Sequence, residues 1–228
     1  VGSDSLAGSL TRATGENVGT YAISSALVNP NYTITYTGAN LSITARALTI
    51  SADAKSKIYG SSDPALSYAI TSGSLIGGDS LTGALTRASG TAVGSYAISS
   101  SLDAGANYLI TYNSANLTIT AAPLTITVDG GSKRYGATYS VGSGKTTFTT
   151  SGLLGSDSAT SITTASSGAI ATAAVGSYTI TGSLALGSGL SNYTISYVPG
   201  TLTITAAPLT ITADNISNCL LYTSDAAD

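Results

Sequence analysis

Few residues in this chain have the types and spacing that chemistry needs. Gly142-Ser143-Gly144-Lys145-Thr146 resembles the end of a phosphate-binding loop, where backbone N–H groups and a lysine cradle phosphate at a helix N-terminus. The leading glycine is missing, since Tyr139 stands there, and Thr146-Thr147-Phe148-Thr149-Thr150 reads as strand where that chemistry needs a helix. Histidine is absent, so no Ser-His-Asp or Cys-His relay and no imidazole metal ligand can be built. Asp4, Asp79 and Asp157 recur in a turn before a serine. A calcium site needs several converging oxygens and each turn supplies one carboxylate, so these aspartates read as caps for local backbone N–H groups. No catalytic, cofactor-binding or metal-ligating residue is assigned, and the chain reads as a non-enzyme.

The tyrosines offer a different chemistry, because aromatic faces pack well on sugars. Tyr21, Tyr96 and Tyr178 lie in phase with Ile23, Ile98 and Ile180 and follow a glycine at a strand start, which marks core residues with the hydroxyl tied to nearby backbone. Tyr59 and Tyr135 lie outside clear alternation, beside Gly and Lys/Arg, and are the candidate ligand contacts for a host glycan or surface protein. Asn31-Tyr32-Thr33 and Asn116-Leu117-Thr118 match the N-glycosylation acceptor pattern but read more simply as turn residues entering strands.

These residues recur, and the recurrence sets the frame that positions them. Val18-Gly19-Thr20-Tyr21 returns as Val93-Gly94-Ser95-Tyr96 and Val175-Gly176-Ser177-Tyr178, Asn31-Tyr32 as Asn107-Tyr108 and Asn192-Tyr193, and Leu41-Ser42-Ile43-Thr44 as Leu117-Thr118-Ile119-Thr120 and Leu202-Thr203-Ile204-Thr205. The first step, Leu41 to Leu117, is 76 residues, and the second, Leu117 to Leu202, is 85. The extra residues fall mainly between Asp157 and Val175 and between Tyr178 and Asn192. A period this long exceeds that of solenoids and propellers and suits small domains in tandem. The expected division is the back part of one module (1–46), a complete module (47–122), a complete module with loop insertions (123–207), and the first strand of a further one (208–218).

Within one module the hydrophobic period is two. Leu48 and Ile50, Leu66, Tyr68 and Ile70, Tyr96 and Ile98, Tyr108, Ile110 and Tyr112, and Leu117 and Ile119 alternate mostly with Thr, Ser and Ala. Such alternation gives strands one face on a core and one in solvent, and β-branched Thr suits the exposed face. Ser62-Asp63-Pro64, Gly77-Gly78-Asp79-Ser80 and Asn113-Ser114-Ala115-Asn116 supply turns. The fold class is therefore all-β, in small antiparallel modules: an Ig-like sandwich is favoured, and a β-grasp-like sheet, with a helical turn in Ser72 to Ser80, is the alternative. At the joints, Thr120-Ala121-Ala122-Pro123-Leu124 and Thr205-Ala206-Ala207-Pro208-Leu209 leave no flexible linker, and Pro holds the chain extended. Neighbouring modules are thus partners of one another in an elongated rod.

Composition closes other classes. With 8 basic and 11 acidic residues there is no positive surplus for nucleic acid, and no apolar stretch approaches a membrane span, so this segment is not expected to insert in a membrane. Cys219 is the only cysteine, and it opens Cys219-Leu220-Leu221-Tyr222-Thr223-Ser224-Asp225-Ala226-Ala227-Asp228, which resembles the translation of a sequencing-library adapter. On that reading residues 219–228 are artefact and the natural sequence stops near Asn218.

The ordered series Lys57-Ile58-Tyr59-Gly60, Asp63-Pro64-Ala65-Leu66, Gly78-Asp79-Ser80-Leu81, Val93-Gly94-Ser95-Tyr96, Asn107-Tyr108 and Leu117-Thr118-Ile119-Thr120 resembles the bacterial MBG domain of the type named for its Tyr-Gly motif. The resemblance runs to Asn218. It implies tandem modules of a large secreted or cell-surface bacterial protein similar to filamentous-haemagglutinin adhesins, with the repeats presenting a distal adhesive region. The third copy departs from the pattern, since Lys133-Arg134-Tyr135-Gly136 is followed by no Asp-Pro.

Overall fold

The computed structural model describes residues 2–217. The adapter-like tail, 219–228, and Asn218 lie outside the described residues. The chain divides into two compact units: Val1–Ala122 with Ser191–Thr194, and Pro123–Leu190 with the residues from Ile195 on.

In the first unit, β1 (Leu10–Arg12), β2 (Gly19–Ser25) and β3 (Ala39–Ile43) form one antiparallel sheet in the order β1-β2-β3. No second sheet among the described residues covers it, and Leu41 is correspondingly exposed. The next copy supplies β4 (Arg46–Ala52), β5 (Lys55–Ile58), β6 (Tyr68–Ser72), β7 (Leu85–Arg87), β8 (Gly94–Ser100), β9 (Tyr108–Asn113) and β10 (Asn116–Thr120). They make two sheets, β6-β4-β9 and β5-β10-β8-β7. Leu48 and Ile50 of β4, Ile98 of β8, and Leu117 and Ile119 of β10 are fully buried, so the two sheets close on a single core. Along β10 burial alternates residue by residue, with the threonines outside, as the period of two dictates.

The second unit repeats the plan. β11 (Ala122–Val128), β12 (Gly131–Arg134), β13 (Gly142–Lys145), β14 (Phe148–Ser151), β15 (Ser158–Ala165), β16 (Gly176–Ser188), β17 (Tyr193–Val198) and β18 (Gly200–Thr205) give the sheets β14-β11-β17 and β12-β18-β16-β15-β13. Leu124 and Ile126 face Ile162, Ile180, Leu202 and Ile204 in a second core, all essentially without solvent exposure. The longer third copy uses its extra residues to extend the β15–β16 pair and to form two 3-10 turns, Ser167–Ala169 and Leu190–Asn192, and β13 pairs along the free edge of β15.

The all-β expectation holds, and the strand direction needs correction. The sheets are mixed, because β4 runs parallel to β9 and β5 parallel to β10, with β12 parallel to β18 in the third copy. Both short connections, β4 to β5 and β9 to β10, cross from one sheet to the other instead of forming hairpins. Opening strands therefore lie alongside closing strands in the same direction, a polarity that alternation does not encode. Ser72 to Ser80 holds no helical turn and no helix covers a sheet among the described residues, which removes the β-grasp alternative. Tyr68 and Ile70, placed inward by alternation, are about two-fifths exposed because β6 is an edge strand.

The joints are as short as the sequence implies: β3 ends at Ile43 and β4 begins at Arg46, and only Ala121 separates β10 from β11. The expected strand at 208–218 is absent from its described part, 208–217, where Leu209 and Ile211 are exposed. β4 and β11 form by pairing with later strands of their own copies, and residues 208–217 pair with no such strands.

Candidate functional site

The recurrent Val-Gly-Ser/Thr-Tyr opens a strand and locks its own start. Tyr21 Oη donates to the Asn17 carbonyl at 2.8 Å, Tyr96 Oη to that of Ala92 at 2.8 Å, and Tyr178 Oη to that of Ala174 at 3.1 Å. These hydroxyl ties to nearby backbone are the ones the sequence implies, and they share the logic of the tyrosine corner of β-sandwiches, but the three side chains are half-buried and stand at the margin of the core, not within it. In the second copy Gly90 lies against the Tyr96 ring, and Arg87 lies over it at 5.3 Å while donating to the Ala88 and Gly90 carbonyls. Arg12, Gly15 and Tyr21 repeat the arrangement in the first copy, where Arg12 also pairs with Glu16.

Arg87 carries this lock to the Asp-Pro turn. Its Nε donates to Asp63 Oδ2 at 2.6 Å, and Lys57 Nζ, from the Tyr-Gly segment, reaches Asp63 Oδ1 at 2.7 Å and the Ser61 carbonyl at 2.8 Å. The hydrogen bonds from Arg87 and Lys57 lower the Asp63 carboxyl from its ordinary 3.8 to about 2. The third copy has no aspartate here, and Lys133, itself buried, donates instead to the Ala137 and Ile170 carbonyls. The turn is an internal brace, and a copy that loses the carboxylate replaces it with neutral oxygens.

A pH dependence follows. Because the folded-state value is depressed, the stabilisation is complete above about pH 4 and is lost as pH falls toward 2. Thermal melts of the full chain should decline between pH 4 and 2, and Asp63→Asn should be less stable than wild type at pH 6 while showing a shallower acid decline. Parallel acid declines in the two proteins would refute the brace.

Asp79 does not act as the local cap that its turn suggested. Its carboxylate accepts from Tyr108 Oη at 2.7 Å, and that hydroxyl accepts from the Ile76 N–H at 2.9 Å. Tyr32 Oη donates to Asp4 in the same way at 2.9 Å. Hydrogen bonding to the carboxylate holds the Tyr108 phenol above its ordinary value. The pair fixes the Asn-Tyr turn, and with it the preceding asparagine.

That asparagine makes the contact that sequence reasoning missed. Asn107 Oδ1 accepts from the Val18 N–H at 2.9 Å, and Asn107 Nδ2 donates to Asn17 Oδ1 at 2.9 Å, so the Asn-Tyr turn of the second copy clasps the Val-Gly-Thr-Tyr start of the first. The clasp is made again within the first unit, to which Ser191–Thr194 belong: Asn192 Oδ1 accepts from the Val93 N–H at 2.9 Å. Beside it the Tyr59 and Tyr193 rings meet edge to face, 5.5 Å between centroids and 77° between planes. The available signal was the joint recurrence of Val-Gly-Tyr and Asn-Tyr in every copy, although nothing local says that their side chains meet across copies. The open groove along the first clasp is lined by Glu16, Arg46, Asp79 and Tyr108 among others, and its charges are engaged by Arg12, Ser74 and Tyr108.

The two candidate ligand tyrosines part company. Tyr59 is half-buried with its ring against Tyr193, whereas Tyr135 is 49% exposed. Gly142–Lys145 forms strand β13, not a loop before a helix, and Lys145 Nζ donates to Ser140 Oγ at 2.7 Å. Among the described residues no group of three or more His, Cys, Asp or Glu is placed to hold a metal, and no helix is long and apolar enough to cross a membrane. No curated protein matches the chain. The family model of the MBG domain (YGX type) matches residues 1–42, 48–118 and 124–203, one match for each copy. The recurrent Tyr-Gly, Val-Gly-Tyr and Asn-Tyr landmarks thus brace and clasp repeats of one kind, and the chain belongs to the MBG domain family of the YGX type.

Proposed function

We propose that these repeats are a non-catalytic spacer of a large secreted or cell-surface bacterial adhesin, holding a distal adhesive region away from the cell. The observation that carries this reading is the repeated clasp of Asn107 on Val18 and Asn192 on Val93, in which signature residues of one copy bind the strand start of the copy before it. A spacer needs many similar modules and short joints, and the three family matches and the short steps from β3 to β4 and from β10 to β11 support that reading.

A rival reading has one observation in its favour. The exposed ring of Tyr135 beside Arg134 is suited to weak contact with a host glycan or protein, which an array would amplify by multivalency. A glycan and mucin array probed with the full chain should give no binding above background. Reproducible binding that disappears with Tyr135→Ala would replace the spacer with a binding module.

A further inference from the structure

The entry and exit strands of a copy lie in parallel ladders, and that decides how the copy answers a pull on the chain. The chain enters the second copy at Arg46, the first residue of β4, and leaves it at Thr120, the last of β10. These points lie at opposite ends of the copy. Beside Arg46 stands Asn107, which holds Val18 of the copy before, and past Ile119 and its partner Gly94 stands Val93, held by Asn192 of the copy after. β4 is parallel to β9 from Arg46 opposite Tyr108 to Ser51 opposite Asn113, and β5 is parallel to β10 from Lys55 opposite Leu117 to Ile58 opposite Thr120.

Tension at Arg46 and Thr120 therefore draws β4 and β10 lengthwise past their parallel partners. Load passes from β4 to β9 through one ladder and on into β10, or from β4 into β5 and through the second ladder to β10, so neither ladder slips while the other holds. Inter-strand bonds lie across the strands, so a lengthwise pull loads a whole ladder at once, whereas peeling breaks its bonds in turn. Side chains stitch the same pairs. Asn113 Nδ2 donates to Ser51 Oγ at 3.1 Å, and Thr120 Oγ1 donates to the Lys57 carbonyl at 3.2 Å. Slippage would also drag Leu48, Ile50, Leu117 and Ile119 out of the core. The third copy keeps the second ladder, with Gly131 opposite Leu202 and Arg134 opposite Thr205 in parallel. There the Tyr135 N–H donates to the Thr205 carbonyl at 2.8 Å, and Thr205 Oγ1 donates to the Lys133 carbonyl at 3.4 Å.

We infer that the second and third copies are load-bearing elements, in which the parallel ladders of the entry and exit strands form a shear clamp against tension along the chain. The inference rests on the spacer reading, since a spacer between a cell and its target is what tension acts on, and it gives the spacer a second task, transmitting force without lengthening.

Single-molecule stretching of the full chain between terminal handles, held at constant force, reads the clamp directly. The two copies should yield as separate steps, told apart by length, because the third has 85 residues against 76 and releases about 30 Å more chain. Tyr135→Pro, which removes the N–H bonded to Thr205, should make the third-copy step about fivefold faster than Tyr135→Ala, which removes the same ring and keeps the bond. Thr120→Val deletes only the hydroxyl on the Lys57 carbonyl and should quicken the second-copy step, so it serves even if the proline variant does not fold. Ala88→Pro is the control, because the bond it removes, to the Ala97 carbonyl at 2.9 Å, holds edge strand β7 to β8 outside the load path. It should lower stability in denaturant and leave the second-copy step unchanged. Equal third-copy rates for Tyr135→Pro and Tyr135→Ala, with a second-copy step indifferent to Thr120→Val, overturn the clamp. So does a second-copy step that Ala88→Pro quickens as much as Thr120→Val. Either result leaves the spacer reading standing, whereas glycan binding would remove that reading and leave the measured forces as they are.

Discussion

Gly90→Ala should destabilise the first compact unit by about 3–5 kcal/mol, an effect comparable to removing a large core side chain. Gly90 has φ +145°, a backbone region essentially confined to glycine, and a Cβ built there meets the Tyr96 ring at 2.1 Å. The ring cannot yield without losing its bond to the Ala92 carbonyl and its place under Arg87, which in turn holds Asp63. One methyl group therefore disturbs the strand start, the cation-π contact and the brace together. Gly77→Ala is the control, because its φ is also positive, +63°, while nothing lies within 4 Å of the added carbon. It should cost about 1 kcal/mol, the backbone term alone. Equal losses in the two variants, read from denaturant unfolding, would show that the contact with Tyr96 contributes nothing.

Asn107→Ala should cost about 1–2 kcal/mol in the same unit, far more than an ordinary surface substitution. Both hydrogen bonds of the clasp go with the side chain, leaving the Val18 N–H and the Asn17 amide oxygen to water. The Tyr108–Asp79 pair and the core behind β9 are untouched, so the loss reports the clasp and not the fold of its own copy. Asn107→Asp keeps the acceptor for Val18 and surrenders only the bond to Asn17, so it should fall between wild type and alanine. An alanine variant as stable as wild type would leave the clasp without energetic meaning.

The contrast between what the sequence disclosed and what it withheld follows from the range of the interactions. Leu48, Ile50, Ile98, Leu117 and Ile119 were legible as core because burial in a strand leaves a period of two in the chain itself. The tie of Tyr96 to nearby backbone was legible for a similar reason, its partner being four residues away. Strand direction was not, because a parallel pairing of β4 with β9 joins residues about 62 positions apart and leaves no local trace. Asp79 misled because a turn aspartate usually finds a neighbouring N–H, and here the phenol of Tyr108 reached it first. Tyr59 reads as a surface residue within its own repeat because the ring it packs against, Tyr193, belongs to the following copy. The clasp itself is invisible within any one repeat, and only the conjunction of two recurrent signatures hints that they serve each other.

Amide hydrogen exchange of the full chain tests the central claim most directly, namely that the asparagine of one copy holds the strand start of the copy before it. The Val18 and Val93 N–H groups, each taken by an asparagine side chain at 2.9 Å, should exchange slowly in the wild type. Asn107→Ala should accelerate Val18 about tenfold and leave Val93 unchanged, and Asn192→Ala should do the reverse. Rates at Val18 and Val93 that ignore both substitutions would contradict the account.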